Sequence, residues 1–188
     1  PFDFLENCST VNDFAQAITS IITKKVNKYD LIPPKILIEP GGFIIGNTAI
    51  ALFRVGTMKP KQDKTLVALD GGADVLLRAT QDWYTYRAVC ANKMLREPTE
   101  IVDFVGPICY EGDILARERK IPKLEDGDVI AFLDVGAYTV VLFNHYNSRP
   151  SPAVILVNGD GDKEVIRQRE DYGDLTLHEY VPERLNLN

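Results

Sequence analysis

The sequence is poor in the residues that build covalent or metal frameworks. Three Cys (Cys8, Cys90 and Cys109) among 188 residues are odd in number and widely spaced. They give neither a disulfide framework nor a zinc ligand set, and they point to a reducing compartment. The two His, His145 and His178, lie far apart with no companion carboxylate or Cys at ligand spacing, so no metal is expected. No apolar run approaches the roughly 18 residues of a membrane span, and the opening PFDFLENCST lacks the basic and apolar regions of a signal peptide. No membrane partner is expected, and the chain reads as cytoplasmic. Positive charge is also in deficit: 21 basic against 27 acidic residues leave a net charge of -6, which argues against nucleic acid, since phosphate binding needs clustered Lys and Arg. The first residue is Pro rather than Met, which suggests a chain that does not begin where translation began.

The content is that of a folded domain. With 45% hydrophobic and 26% charged residues, neither disorder nor collagen-like repetition fits. A chain of this length removes on the order of 70% of its extended surface from water, enough for one core without staples. Over residues 11–28 the apolar Phe14, Ile18, Ile21, Ile22 and Val26 recur at spacings of three and four, predicting an amphipathic helix capped by Ser9 or Thr10 with Asp13 in its first turn. Pro33 and Pro34 forbid its continuation, residues 35–38 read as a short apolar strand, and Gly41-Gly42 ends it. Helix, short connection and strand make the αβ unit of a parallel sheet or barrel. From Phe43 onward the pattern changes to short strands with turn signals between them, from IIGNTAIALFRVGTM through KTLVALD, EIVDFVGPICYE, GDVIAFLDV, AYTVVLF and AVILVNG to KEVIRQR. The fold expected is therefore mainly β, an antiparallel sandwich or barrel, preceded by an α/β remnant, with domains at 1–42 and 43–188. The stretch GGADVLLRATQDWYTYRAV reads as a short helix or an aromatic-lined loop.

Several short runs carry possible chemistry, each beside a plain structural reading. Cys109 in GPICYEGD has carboxylates nearby, whose field raises a thiol pKa and suits a proton donor rather than a nucleophile. A buried structural Cys is the alternative. EPGG lies at the C-terminal end of the predicted strand, where ligands sit in barrels; its glycines would let backbone amides approach a phosphate and Glu39 would meet a cation, although a plain turn explains the glycines equally well. HYNSRPSP reads as a rigid surface turn, and LDGGADVLLR as a turn plus the charge of Arg78.

Taken in order, EPGG, DGG, GPICYEGD, GDVIAFLDVGAY and HYNSRP form a pattern. The chain resembles the C-terminal part of the fold-type III, pyridoxal-phosphate-dependent amino-acid decarboxylases and is most similar to the diaminopimelate decarboxylases. The resemblance implies pyridoxal 5'-phosphate as cofactor and an amino acid as substrate, and it makes residues 1–42 the last helix and strand of a (β/α)8 (TIM-type) barrel. It places Glu39 at the pyridine nitrogen, Gly41 and Gly42 beside the phosphate, Tyr138 on the phosphate or ring, and Cys109 as donor of the proton to the α-carbon. Asp113 would fix the turn. The family's two-fold dimer would have Cys109 act on the partner's cofactor. The substrate side would involve Arg78, Tyr110 and Glu111.

The departures are as specific. Gly42 stands where the family has Arg, Tyr110 stands where it has an acid, and in the run Arg78-Ala79-Thr80-Gln81-Asp82 the family's Pro and Tyr are replaced. Lost charge-assisted contacts of roughly 1.5–3 kcal/mol each imply an altered substrate. The family is about twice as long; none of Lys24, Lys25, Lys28 and Lys35 has the context of its Schiff-base lysine, so the resemblance implies a partner, an N-terminal barrel portion, in a homodimer or a dimer of two-chain units. Two competing readings are a non-catalytic homologue acting as a regulatory or binding subunit, and a stand-alone β binding module.

Overall fold

A computed structural model describes residues 9–81 and 84–185. The opening PFDF, Cys8 and Asp82 lie outside the described residues.

Helix α1 (Val11–Tyr29) forms as its spacing predicts. Thr10 caps it in a reciprocal box: the Asp13 amide donates to Thr10 Oγ1 at 3.2 Å and the Thr10 amide to Asp13 Oδ2 at 2.6 Å. Asp30, in the left-handed region with φ 50°, closes the far end. Its apolar stripe nevertheless meets no core: no residue of α1 is buried, and no described residue before Phe53 is. The strand expected at residues 35–38 does not form. A strand exists by exchanging hydrogen bonds with a neighbour, and no described segment pairs with this one. Residues 41–48 make two 3-10 turns instead of opening the first long strand.

The core sits in a six-stranded sheet built from β1 (Ala51–Pro60), β2 (Thr65–Leu69), β3 (Ala88–Cys90), β4 (Glu100–Val105), β5 (Ile114–Ile121) and β6 (Val129–Phe132), in the order β3-β6-β1-β2-β4-β5. The edge strands β3 and β5 approach one another, so the sheet curls nearly into a barrel. It is mixed rather than antiparallel: β2 and β4 run parallel, with Val67 opposite Phe104, whereas the other neighbours are antiparallel. Parallel neighbours need a long crossover, and the connection from β2 to β4 supplies it with helix α2 (Ala73–Leu76), a 3-10 turn over Leu77–Thr80 and β3. Phe132 stands edge-on to Phe53 and Phe104, with ring centroids 5.5 and 6.0 Å away, and Leu76, Val67, Val102, Leu115 and Ile130 complete the buried centre. A two-stranded hairpin, β7 (Val154–Val157) with β8 (Lys163–Arg167), and a short helix α3 (Tyr172–Thr176) follow. One further expectation fails. AYTVVLF is no strand but a 3-10 turn at Val140–Leu142, reached after Tyr138 takes φ 56°. Strand β5, ILARERKI, has no counterpart in the sequence reading.

Candidate active site

The loops at one end of the sheet gather the motif runs. The segment after β2 is central. Asp74, buried, accepts the Gly72 amide at 2.7 Å and pairs with Arg149 Nε at 2.8 Å, while Arg149 Nη2 reaches the Asp70 carbonyl at 2.6 Å. Asn144 Nδ2 donates to the Ala73 carbonyl at 2.9 Å. HYNSRP is thus bolted to DGGAD by groups far apart in sequence.

The Cys109 loop is bolted to the same segment. The Asp113 carboxylate, also buried, accepts the Ala73 amide at 2.7 Å and the Ile108 amide at 3.0 Å. Burial pushes its pKa up, against the pull of those two amides. The close approach requires glycine on both sides, since a Cβ at Gly72 or Gly106 would run into the carboxylate. Cys109 itself is exposed, so the structural reading of a buried thiol does not hold. Its amide donates to Asn147 Oδ1 at 2.8 Å, and its carbonyl accepts the Tyr146 hydroxyl at 2.9 Å. Tyr110, next in the chain, has its ring centroid 6.4 Å from that of Tyr146, and Glu111 beside it is exposed. Cys90, by contrast, is a packing residue: it is 2% exposed and burial raises its pKa.

A second cluster forms where residues 41–49 meet residues 135–138. The Val135 amide donates to the Ala49 carbonyl at 3.0 Å and the Gly136 amide to the Gly46 carbonyl at 2.8 Å. These bonds bring Gly41 and Gly42 against GAY: a Cβ at Gly41 would lie 3.4 Å from the Tyr138 hydroxyl, and one at Gly42 would lie 3.6 Å from Ala137 Cβ. Gly41 has φ 60° and Tyr138 has φ 56°, a conformation an aromatic residue adopts only under constraint. The Arg78 guanidinium lies between two rings, 4.3 Å from the centroids of both Tyr138 and Tyr84. Behind them, burial pushes the Tyr86 hydroxyl up to about 12. Glu39, two residues before Gly41, is exposed.

A phenol hydroxyl, a guanidinium and a glycine turn packed against them form a donor set suited to a phosphate. The described residues therefore fit pyridoxal 5'-phosphate on its phosphate side. Among them no group of His, Cys, Asp and Glu could hold a metal ion.

Residues 11–136 match the family model for the C-terminal sheet domain of the pyridoxal-dependent decarboxylases. The chain belongs to that family. It is 45% identical over 177 residues to diaminopimelate decarboxylase of Archaeoglobus fulgidus, covering 94% of this chain and 41% of the relative. With the Methanothermobacter thermautotrophicus enzyme of the same name it shares 36% identity over 185 residues, 98% of this chain and 43% of that one. The crystal structure of Methanocaldococcus jannaschii diaminopimelate decarboxylase in complex with L-lysine superposes with a TM-score of 0.81 at 29% identity, over 96% of this chain and 41% of that chain. The chain spans about two fifths of the length of these relatives.

Of the residues singled out in the sequence, the structure groups Gly41, Gly42, Tyr138 and Arg78, and separately Cys109, Tyr110 and Glu111. Arg78 stands with the first group, whereas Tyr110 stands with Tyr146. The decarboxylase motifs did not reveal Asp74, Arg149, Asn147 or Tyr146 as the parts that hold the loops together. The lone His145 does have a companion carboxylate: Glu170 Oε2 lies 2.7 Å from its Nε2.

Proposed function

We propose that the chain is the C-terminal portion of a pyridoxal-phosphate-dependent amino-acid decarboxylase of the diaminopimelate decarboxylase kind, active with an N-terminal barrel portion that carries the cofactor lysine. Residues 1–42 are then the end of that TIM-type barrel and residues 43–188 the β domain, in a cytoplasmic enzyme. The observation that carries the reading is the cradle of Gly41, Tyr138 and Arg78. Family membership supports it.

Bound there, the cofactor supplies a sink for the electron pair left on the α-carbon when carbon dioxide departs. The residues of this chain do the rest. Backbone at Gly41 and Gly42 and the Tyr138 hydroxyl hold the phosphate, and Arg78, stacked on Tyr138, fixes that ring and adds positive charge beside it. Glu39 keeps the pyridine nitrogen protonated. The Cys109 thiol gives its proton to the α-carbon as the new C–H bond forms, and its exposure leaves it free to reach another subunit's site in a homodimer, where Tyr110 and Glu111 face the far end of the amino acid. Gly42 in place of an Arg and Tyr110 in place of an acid favour a substrate altered from diaminopimelate.

The test pairs the chain with its N-terminal portion and the cofactor and measures carbon dioxide release from diaminopimelate, lysine, ornithine and arginine. Release from one of them supports the reading and names the substrate. Cofactor binding with no release from any basic amino acid favours the non-catalytic subunit instead, a reading to which the losses at Gly42 and Tyr110 point.

A further inference from the structure

Asn147 of HYNSRP and Asn144 just before it behave differently. Asn144 Oδ1 accepts the Tyr146 amide two residues on at 3.2 Å, the usual habit of Asn in a turn. Asn147 turns away from its own backbone and takes the amide of Cys109, 38 positions earlier, at 2.8 Å. It does so from the left-handed region, with φ 57° at Asn147 and φ 54° at Ser148, a conformation that persists where surroundings over-determine it. The surroundings do: Arg149 is held by Asp74, Asn144 by the Ala73 carbonyl, the Ser148 amide by the His145 carbonyl at 2.8 Å, and His145 by Glu170.

Besides the Tyr146 hydroxyl on its carbonyl, Cys109 therefore has supports on both sides that refer to the same segment, residues 70–74. Asp113 fixes the loop through Ile108, one residue before the thiol, and Asn147 fixes the amide of Cys109 itself. An exposed thiol on a loop without strand pairing would otherwise sample many directions, whereas proton delivery needs one geometry within about 0.5 Å. We propose that Asn147 is a positioning residue for Cys109, aiming the thiol by holding its backbone amide. The proposal rests on the decarboxylase reading for what the thiol does, but not for how it is held.

The test uses the assembled enzyme with two substitutions. Asn147→Gly removes the acceptor while accepting φ 57° without strain, and Asn147→Asp keeps both an acceptor and tolerance of that conformation. The first readout is hydrogen exchange at the Cys109 amide, expected to quicken roughly tenfold in Asn147→Gly and to stay near the parent rate in Asn147→Asp. The second is amine formed per carbon dioxide released, expected to fall in Asn147→Gly at unchanged KM and to recover in Asn147→Asp. Unchanged exchange in Asn147→Gly overturns the positioning contact. Quickened exchange with an unchanged product ratio overturns its role in aiming the proton. If the parent releases no carbon dioxide, the decarboxylase reading fails, and the exchange comparison still decides whether Asn147 holds Cys109.

Discussion

The loop cluster at the middle of this chain and the segment at its start present their surfaces in opposite ways. Around residues 70–74, 106–113 and 144–149, three loops with little regular structure are tied by buried carboxylates: Asp74 takes an amide and a guanidinium, Asp113 takes two amides. From residue 11 to residue 45 the structure is regular or extended, yet apolar side chains face outward, with Ile32 93% exposed and Leu37 83%. The first region is self-sufficient, with its polar groups satisfied inside the chain. The second leaves apolar side chains uncovered by the described residues, the kind of surface that an interface buries.

The sharpest way to break the polar region is to leave one of its carboxylates alone. Arg149→Ala removes the partner of Asp74, which is 3% exposed, and an uncompensated buried charge costs about 3 kcal/mol. Urea unfolding of the assembled protein should show the midpoint fall accordingly, while Arg149→Lys recovers only part, since one ammonium cannot meet Asp74 and the Asp70 carbonyl in the same fork. Asp113→Asn should cost less, about 2 kcal/mol. One acceptor becomes an NH2 group facing an amide, but the burial that raises the acid's pKa is relieved. The sign is set by that burial: the raised pKa means that ionising Asp113 weakens the fold as pH climbs from about 3.9 through the folded value, and Asp113→Asn should flatten this part of the pH–stability curve.

The apolar region gives the opposite test. Replacing Phe14 and Ile21 of α1 by Ser should change unfolding of the sheet domain by less than about 0.5 kcal/mol, because neither touches its core. Association with the N-terminal portion should weaken roughly tenfold, near 1.4 kcal/mol for two lost apolar contacts. Equal effects on both would mean that the helix packs within this chain.

The same contrast decides what could be read from the sequence. Helix α1 was legible because period and capping are local: Thr10 and Asp13 are three residues apart. Strand β5 was not. Arg117, Glu118, Arg119 and Lys120 hide its alternation, and a bulge at Glu118, with φ 52°, is held by the Asp103 carboxylate, which takes the Glu118 amide at 2.7 Å and Lys64 at 2.8 Å. The strand at 35–38 failed for the converse reason, having the right local pattern and no neighbour among the described residues. In the site, Gly41, Tyr138 and Cys109 stood out by their motifs, but Asn147 and Arg149 looked like parts of a turn, because their partners lie 38 and 75 residues away.

The smallest expected effect lies at the rim of the polar region, where Glu170 ties the C-terminal hairpin to HYNSRP. Its carboxylate takes the Ser151 amide at 2.8 Å, His145 Nε2 at 2.7 Å and Arg167 Nη2 at 3.0 Å, and these donors, Ser151 first, hold its pKa down to about 2. A depressed carboxyl pKa adds stability that is complete above the unfolded value, near 4.3, and is lost as pH falls from there towards 2. The loss should stay modest because half-exposed His145 and Arg167 are screened by water and salt. Hydrogen exchange at the Ser151 amide, followed from pH 5 to pH 2.5 and corrected for intrinsic rates, should show protection fading over this window in the parent protein. In Glu170→Gln the protection should start lower and keep no such pH dependence. If the Cys109 amide lost protection in step with Ser151, the rim and the thiol loop would be one cooperative unit. If Cys109 held while Ser151 opened, the Asp74, Asp113 and Asn147 contacts would suffice to fix the thiol without the hairpin.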